Sequence, residues 1–300
     1  MGLCDGRVVI VTGAGRGIGR AHALAFAAAG ASVVVNDIGV ALDGTGAGTG
    51  PAQQVVDEIV AAGGPAVANT DDIADWSGAE SLVAQAISAF GRLDVLVNNA
   101  GFVRDRMLAN VAEDEWDAVI RVHLKGHFAP LRHAAGYWRN ESKAGNEPNA
   151  RVINTSSGAG LFGSVGQVNY SAAKAGIAAL TQVAAAELAR YGVTVNAIAP
   201  SARTRMTEEA FAEMMAKPDS GFDVMAPENI SPLVVWLGSA ESAAVTGRVF
   251  EVEGGRVTLA DGWRRGPSAD KGAQWLAVEL GPVVGGLLAE AEPPVPVYGA

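Results

Sequence analysis

Eight residues near the start of the chain, Thr12-Gly13-Ala14-Gly15-Arg16-Gly17-Ile18-Gly19, restrict its fold more than any other segment. They follow the apolar run Val8-Val9-Ile10-Val11 and open into an Ala-rich stretch at 20–29 of helical composition. Glycines between a strand and a helix let the backbone turn tightly and approach a diphosphate, whose charge then rests against the amides of the helix N-terminus. A glycine-rich loop that holds no ligand has a similar composition, but the strand-turn-helix setting favours the phosphate turn. Gly13, Arg16, Gly17, Ile18 and Gly19 are therefore candidate cofactor contacts.

The rest of the chain repeats the same alternation. Short apolar runs at 8–11, 32–36, 66–69, 95–98, 151–154, 194–198 and 249–251 are separated by helical candidates at 20–29, 52–62, 78–90, 113–138, 170–191 and 227–237. Continuously apolar strands are expected where helices cover both faces of a parallel sheet. The pattern predicts an α/β fold, a Rossmann-like doubly wound parallel sheet of about seven strands, with ligands at the carboxyl ends of the strands. A single domain is expected over 1–255. Residues 256–300, with Gly, two Trp and a Pro-rich end, read as a C-terminal extension packed on that domain or on a neighbouring subunit. Residues 39–50 form a Gly-, Thr- and Ala-rich insert expected to be a surface loop.

Composition removes several classes of function. A net charge of −10 leaves no basic stripe for nucleic acid. Cys4 is the one cysteine, so no intrachain disulfide forms, and Cys and His are not clustered at metal-binding spacing. The chain enters its first strand too early for a secretory signal, and no run reaches the roughly 18 apolar residues of a membrane span. A cytoplasmic protein without membrane or nucleic-acid partners is expected.

Further candidates lie at later strand ends. Asp37 closes the second strand 18 residues beyond Gly19, where a carboxylate accepts hydrogen bonds from ribose hydroxyls and repels a 2′-phosphate. That points to NAD, although Arg16 offers some compensating charge and a solvated strand-end acid is the alternative. Asp72 and Ile73 follow the third strand, where an acid could meet the adenine amine or simply cap a helix. Asn99, Ala100 and Gly101 follow the fourth, and small residues there let a cofactor pass close to the backbone. Tyr170 and Lys174, four apart on a helix, face one small volume. An ammonium beside the phenol would lower its pKa from about 10 towards a working range. Ser157, after the fifth strand, could donate to a substrate oxygen as charge develops on it. An exposed i, i+4 pair would share the Tyr170–Lys174 spacing, but these motifs all fall along one edge of the sheet.

Thr12-Gly13 through Gly19, Asn98-Asn99-Ala100-Gly101, Ser157 and Tyr170-x-x-x-Lys174 together resemble the short-chain dehydrogenase/reductase family over about residues 5–255. The resemblance implies Tyr170 as acid/base, Ser157 as polarising donor, Lys174 as partner of the phenolate and ligand of the nicotinamide ribose, and Pro200 to Thr204 beside the nicotinamide. Many members carry Asn in a proton relay where this chain has His123, which could continue the relay or merely pack. Homodimer or homotetramer contacts through the long helices at 113–138 and 170–191 are also implied.

Within the family, Asn36-Asp37, Arg104-Asp105-Arg106, Val122-His123-Leu124, Gly166-Gln167-Val168-Asn169-Tyr170 and Arg205-Met206-Thr207 resemble the (R)-3-hydroxyacyl-CoA dehydrogenase part of peroxisomal multifunctional enzyme type 2. This implies an acyl-CoA thioester substrate, with a bulky or steroid-derived acyl chain as one option and Arg104, Arg106, Arg203 and Arg205 as candidates near the CoA phosphates. The alternatives are a dehydrogenase of free hydroxysteroids or small alcohols, a carrier-protein-linked 3-oxoacyl reductase, against which Asp37 counts, and a non-catalytic NAD-sensing or scaffold protein, against which Ser157, Tyr170 and Lys174 count.

Overall fold

The structure, a computed structural model, describes residues 2–39, 50–204 and 215–299. Most of the insert at 39–50, and Arg205-Met206-Thr207, lie outside the described residues. In chain order the main elements are β1 (Val8–Thr12), α1 (Gly17–Ala28), β2 (Ser32–Asn36), α2 (Gly50–Ala61), β3 (Ala66–Asn69), α3 (Trp76–Phe90), β4 (Val95–Asn98), α4 (Glu113–Ile120), α5 (Gly126–Lys143), β5 (Ala150–Thr155), α6 (Gly158–Phe162), α7 (Val168–Leu188), β6 (Val193–Ser201), α8 (Ser231–Gly238), β7 (Val249–Glu253), β8 (Arg256–Ala260) and α9 (Leu280–Glu290).

The sheet order is β3-β2-β1-β4-β5-β6-β7-β8. Pairing is parallel throughout except between β7 and β8. Side chains alternate across the strands as the two-residue period demands. Val9 and Val11 of β1 join Phe26 of α1, Ile59 of α2 and Val234 of α8 in one core. Val8 and Ile10 join Leu82 of α3, Trp138 of α5 and Leu188 of α7 in the other. β1, in the middle of the sheet, thus has two apolar faces because each meets a helical layer.

Two features depart from the expected elements. An eighth strand, Arg256–Ala260, lies where the extension was expected to begin, and it pairs antiparallel with β7 from Glu253↔Arg256 to Val249↔Ala260. The hairpin turns on Gly254-Gly255, with Gly254 at φ 52°, a backbone that glycine adopts without strain. The helix expected over 113–138 is instead two helices joined by a π-helical turn, Arg121–Lys125. The wider turn inserts an extra residue and rotates the face that follows. Val119 before the turn and His123, Gly126 and His127 within and after it are all buried.

β5 is tied to the end of α8 by Arg151. Its guanidinium, fully buried, donates to Ser239 O (2.9 Å), Ala150 O (2.9 Å), Asn149 Oδ1 (2.7 Å), Ala240 O (3.3 Å) and Ser242 Oγ (3.2 Å). Burial lowers its pKa to about 10, which keeps it charged at neutral pH, and the carbonyls that follow a helix C-terminus suit a cation. Replacing it with Leu orphans several buried acceptors at about 1–3 kcal/mol each. Arg151→Leu is expected to lower the urea midpoint markedly while the folded fraction keeps its cofactor affinity, as equilibrium unfolding followed by circular dichroism would register.

Candidate active site

The crevice opens at the carboxyl ends of β1 and β4, where the order of the sheet reverses direction. Thr12 ends β1 and its Oγ1 accepts from the amides of Asn99 (2.9 Å) and Ala100 (3.2 Å). Asn99 returns the bond, donating through Nδ2 to Thr12 O (3.0 Å) and Gly13 O (3.3 Å). The glycine turn is packed so closely that side chains have no room. A Cβ on Gly13 would lie 2.7 Å from Ala100 Cα, and one on Gly19 2.2 Å from Gly13 O. Gly17 has φ 54° and faces Thr204, whose Cγ2 would be 3.7 Å from a Cβ placed there. Ile18 packs on the core beneath, and exposed Arg16 is the N-cap of α1 without a side-chain capping bond. The first amides of α1 therefore point into a narrow cradle with no capping side chain, which fits a diphosphate.

Asp37 sits at the end of β2 and accepts from Gly15 N (2.9 Å) and Gly39 N (2.7 Å). It braces the turn and still has lone pairs for other donors. Asp72 accepts from Ala74 N (2.9 Å) and forms an ion pair with Arg121 (2.6 Å), while the neighbouring Ile73 is buried against Gly126. The cap of α3 is Asp75, which accepts from Gly78 N, so Asp72 is not the helix cap. Pro200 lies near the end of β6, paired with Val252, with Thr204 just beyond it.

Around the corner, Ser157 is the N-cap of α6 and accepts from Ala159 N (3.2 Å). Tyr170 and Lys174 lie in the first two turns of α7, with Lys174 Nζ 5.5 Å from the centre of the phenol ring. Burial pushes the Tyr170 phenol above its usual 10, opposed by a hydrogen bond from Ser157 and reinforced by the charge of Asp105. The expected lowering of this phenol by the ammonium is thus not the dominant effect. Burial instead lowers Lys174 itself to about 7, and its Nζ donates to Thr155 O (2.7 Å).

His123 stands edge-on to Tyr170, ring centres 5.1 Å apart. Its Nε2 lies 2.5 Å from Phe102 O and 3.1 Å from Phe102 N, so the backbone of Phe102 holds the ring in either tautomer, and Nδ1 is buried without a partner among the described residues. Burial, then the charge of Lys174, lowers its pKa to about 3, so the imidazole is neutral. It also needs the glycine at 101, where a Cβ would fall 2.2 Å from its Cε1.

The family model for "short chain dehydrogenase" matches residues 7–215. This chain is a short-chain dehydrogenase. It is 49% identical over 284 residues to hydroxyacyl-CoA dehydrogenase ChsB1 of Mycobacterium tuberculosis, covering 92% of this chain and 86% of that one. It is 44% identical to peroxisomal multifunctional enzyme type 2 of Mus musculus over 84% of this chain, but it spans only 32% of that longer protein. A solved structure of a short chain dehydrogenase from Mycobacterium avium superposes with a TM-score of 0.91 at 69% identity, covering 100% of both chains.

Several residues of this dehydrogenase escaped the sequence reading. His127 is fully buried, with Nε2 accepting from Thr155 N (3.4 Å), and burial followed by the charge of Lys174 holds its pKa well below 6.5. Its place four residues after His123 was the available signal. Asn98, Asn154 and Thr181 form a buried chain, Asn98 Nδ2 to Asn154 Oδ1 (3.0 Å) and Asn154 Nδ2 to Thr181 Oγ1 (2.9 Å). Of the arginines considered for CoA, Arg106 pairs with Glu115 (3.2 Å), Arg203 pairs with Asp223, and Arg104 lies over the Phe102 ring at 5.8 Å.

Lys174 makes the site costly to the fold. The unfolded residue holds its proton up to about pH 10.5 and the folded one releases it near 7. Between those values the unfolded chain binds the extra proton, so stability rises with pH. Lys174→Met is expected to be more stable than the parent at pH 7, the gap closing towards pH 10, in denaturant midpoints measured across that range.

Proposed function

We propose that this dehydrogenase oxidises a 3-hydroxyacyl-CoA with NAD, the reverse reduction being equally open to the same residues. The observation that carries the reading is the convergence of Ser157, Tyr170 and Lys174 beside the glycine cradle, in a chain 49% identical to a hydroxyacyl-CoA dehydrogenase. The name of the longer multifunctional relatives is compatible with a peroxisomal setting for them, whereas the lone buried Cys4 here suits a reducing cytoplasm.

NAD bound at the cradle supplies the acceptor for a hydride from the carbinol carbon. Gly13 and Gly19 leave room for its diphosphate, and the α1 amides carry the opposing partial charge. Arg16, Asp37, Asn99, Ala100, Gly101, Pro200 and Thr204 border the cofactor, with Ile18 and Ile73 supplying apolar walls. Ser157 holds the substrate oxygen by hydrogen bond, and Tyr170 takes the hydroxyl proton in oxidation or gives it in reduction. Lys174 steadies the negative charge that Tyr170 acquires. His123, neutral and fixed by the backbone of Phe102, orients the phenol rather than acting as a base.

A homodimer or homotetramer through α5 and α7 suits Phe128 and Val183, which those helices expose. Asp37 supports NAD because its carboxylate would face a 2′-phosphate.

Tyr170→Phe, which removes the proton carrier but keeps the ring, is expected to lower kcat for 3-hydroxyacyl-CoA by 100-fold or more with NAD affinity unchanged, in absorbance assays of NADH. Turnover of free hydroxysteroids alone would remove the thioester assignment. Because Tyr170 is raised, oxidation should accelerate with pH through the alkaline range and reduction should slow. Asp37→Asn should raise the ratio of kcat/KM with NADP to that with NAD by 10-fold or more, and an unmoved ratio would remove Asp37 as the determinant.

A further inference from the structure

The C-terminal stretch leaves the sheet after β8 at Ala260 and returns, some forty residues later, to the segment that separates Ser157 from Tyr170. Between these points no side chain is buried, in α9 or outside it. The return is specific nonetheless. Val165 N donates to Tyr298 O (2.9 Å) and Tyr298 N to Gly163 O (3.2 Å), a short parallel bridge centred on Ser164 and Tyr298. The Tyr298 ring meets Phe162 edge-on at 6.2 Å and 87°.

Two glycines admit this contact. A Cβ on Gly158 would lie 2.9 Å from the Tyr298 hydroxyl and 3.0 Å from its Cε2, and one on Gly163 would lie 3.3 Å from Val297 Cγ1. Gly158 directly follows Ser157, so the phenol of Tyr298 rests one residue from the hydroxyl that holds the substrate oxygen. On the opposite side of the crevice the loop after β4 is sewn to the same segment, by Arg106 N to Gly166 O (2.8 Å), Asn169 Nδ2 to Arg104 O (3.1 Å) and Gln167 Nε2 to Asp105 Oδ2 (3.0 Å). Residues 158–169 are therefore held from both sides, by the β4 loop and by the chain's own terminus.

We propose that Tyr298 is a specificity-determining residue, an aromatic wall with a hydroxyl at its rim that bounds the substrate beside Ser157 and limits the bulk carried next to the reacting carbon. Tyr298 is 49% exposed, so while its ring touches Phe162 and its hydroxyl edge touches Gly158, part of the residue stays open to a ligand. Burial and the charges of Glu251 and Glu253 keep the phenol protonated, hence a donor to a carbonyl or amide. The proposal rests on the dehydrogenase reading of the Ser157 site, and its substrate class follows the thioester assignment only in part.

The test compares Tyr298→Ala, Tyr298→Phe and a chain ending at Val295 with the parent, on short-chain and bulky 3-hydroxyacyl-CoA esters and on small and steroidal secondary alcohols. For Tyr298→Ala and the shortened chain, the ratio of kcat/KM for bulky over short substrates should rise 10-fold or more, chiefly through KM, while KM for NAD stays within twofold. Tyr298→Phe should keep the parent's ratio and raise KM for both substrates about threefold. A ratio within twofold of the parent in Tyr298→Ala and in the shortened chain, or a shift towards short substrates, overturns the proposal. If the parent oxidises only free alcohols, the thioester reading fails while the same ratio, measured on the alcohols, still decides the role of Tyr298.

Discussion

The exchange of hydrogen bonds between the end of β1 and the turn after β4 is the constraint on which the rest of the site depends. Thr12 Oγ1 receives two amides from Asn99 and Ala100, and Asn99 gives its own amide back to the carbonyls of Thr12 and Gly13. These bonds join two strands that are adjacent in the sheet but distant in sequence, at the point where the strand order reverses. They hold the glycine turn against Ala100 so tightly that Gly13 and Gly19 cannot carry side chains. The cradle is therefore a product of β1–β4 pairing rather than of the glycine turn alone. A lone glycine-rich loop without such bracing would lack a fixed shape for a diphosphate.

Much of this was readable because strand ends and glycines announce themselves. Alternating apolar runs located β1 to β7, and the residues that terminate them supplied Asp37, Asn99 and Ser157. The eighth strand was missed: Gly254-Gly255 is a two-residue hairpin signal, but it opens a stretch rich in glycine and proline that reads as an extension. The π turn at Arg121–Lys125 was not legible. Its residues fit an ordinary helix, and the wider turn arises from packing, with Gly126 against Ile73 and His123 against Gly101. Tyr298 was equally hidden, because its place beside Gly158 is a long-range contact that no local period encodes.

The direction of the Tyr170 shift illustrates a second limit of sequence reasoning. Spacing brought a cation to a phenol and suggested that the phenol would be acidified. In the folded chain burial is the dominant cause for both groups, so Tyr170 rises and Lys174 falls. Each residue alone is neutralised by the same cause. A negative charge on the Tyr170 oxygen and a proton on Lys174 then become mutually dependent, since either one without the other is an isolated charge in a poorly solvated place.

Two buried ionisable groups need polar and firmly held surroundings. Thr155 O accepts from Lys174 Nζ, Ser156 Oγ donates to the Lys174 carbonyl at 2.8 Å, and Asn154 donates to Thr181, so that the last two residues of β5 and the one after it fix α7. His123 Nδ1, His127 Nδ1 and Thr155 Oγ1 remain buried without a hydrogen-bond partner among the described residues. Each such atom disfavours folding, and they gather around the same two side chains. The two apolar cores on either side of the sheet carry that cost. A site that keeps Lys174 near neutrality and Tyr170 reluctant to ionise is poor for stability but can move a proton when charge develops on an adjacent oxygen.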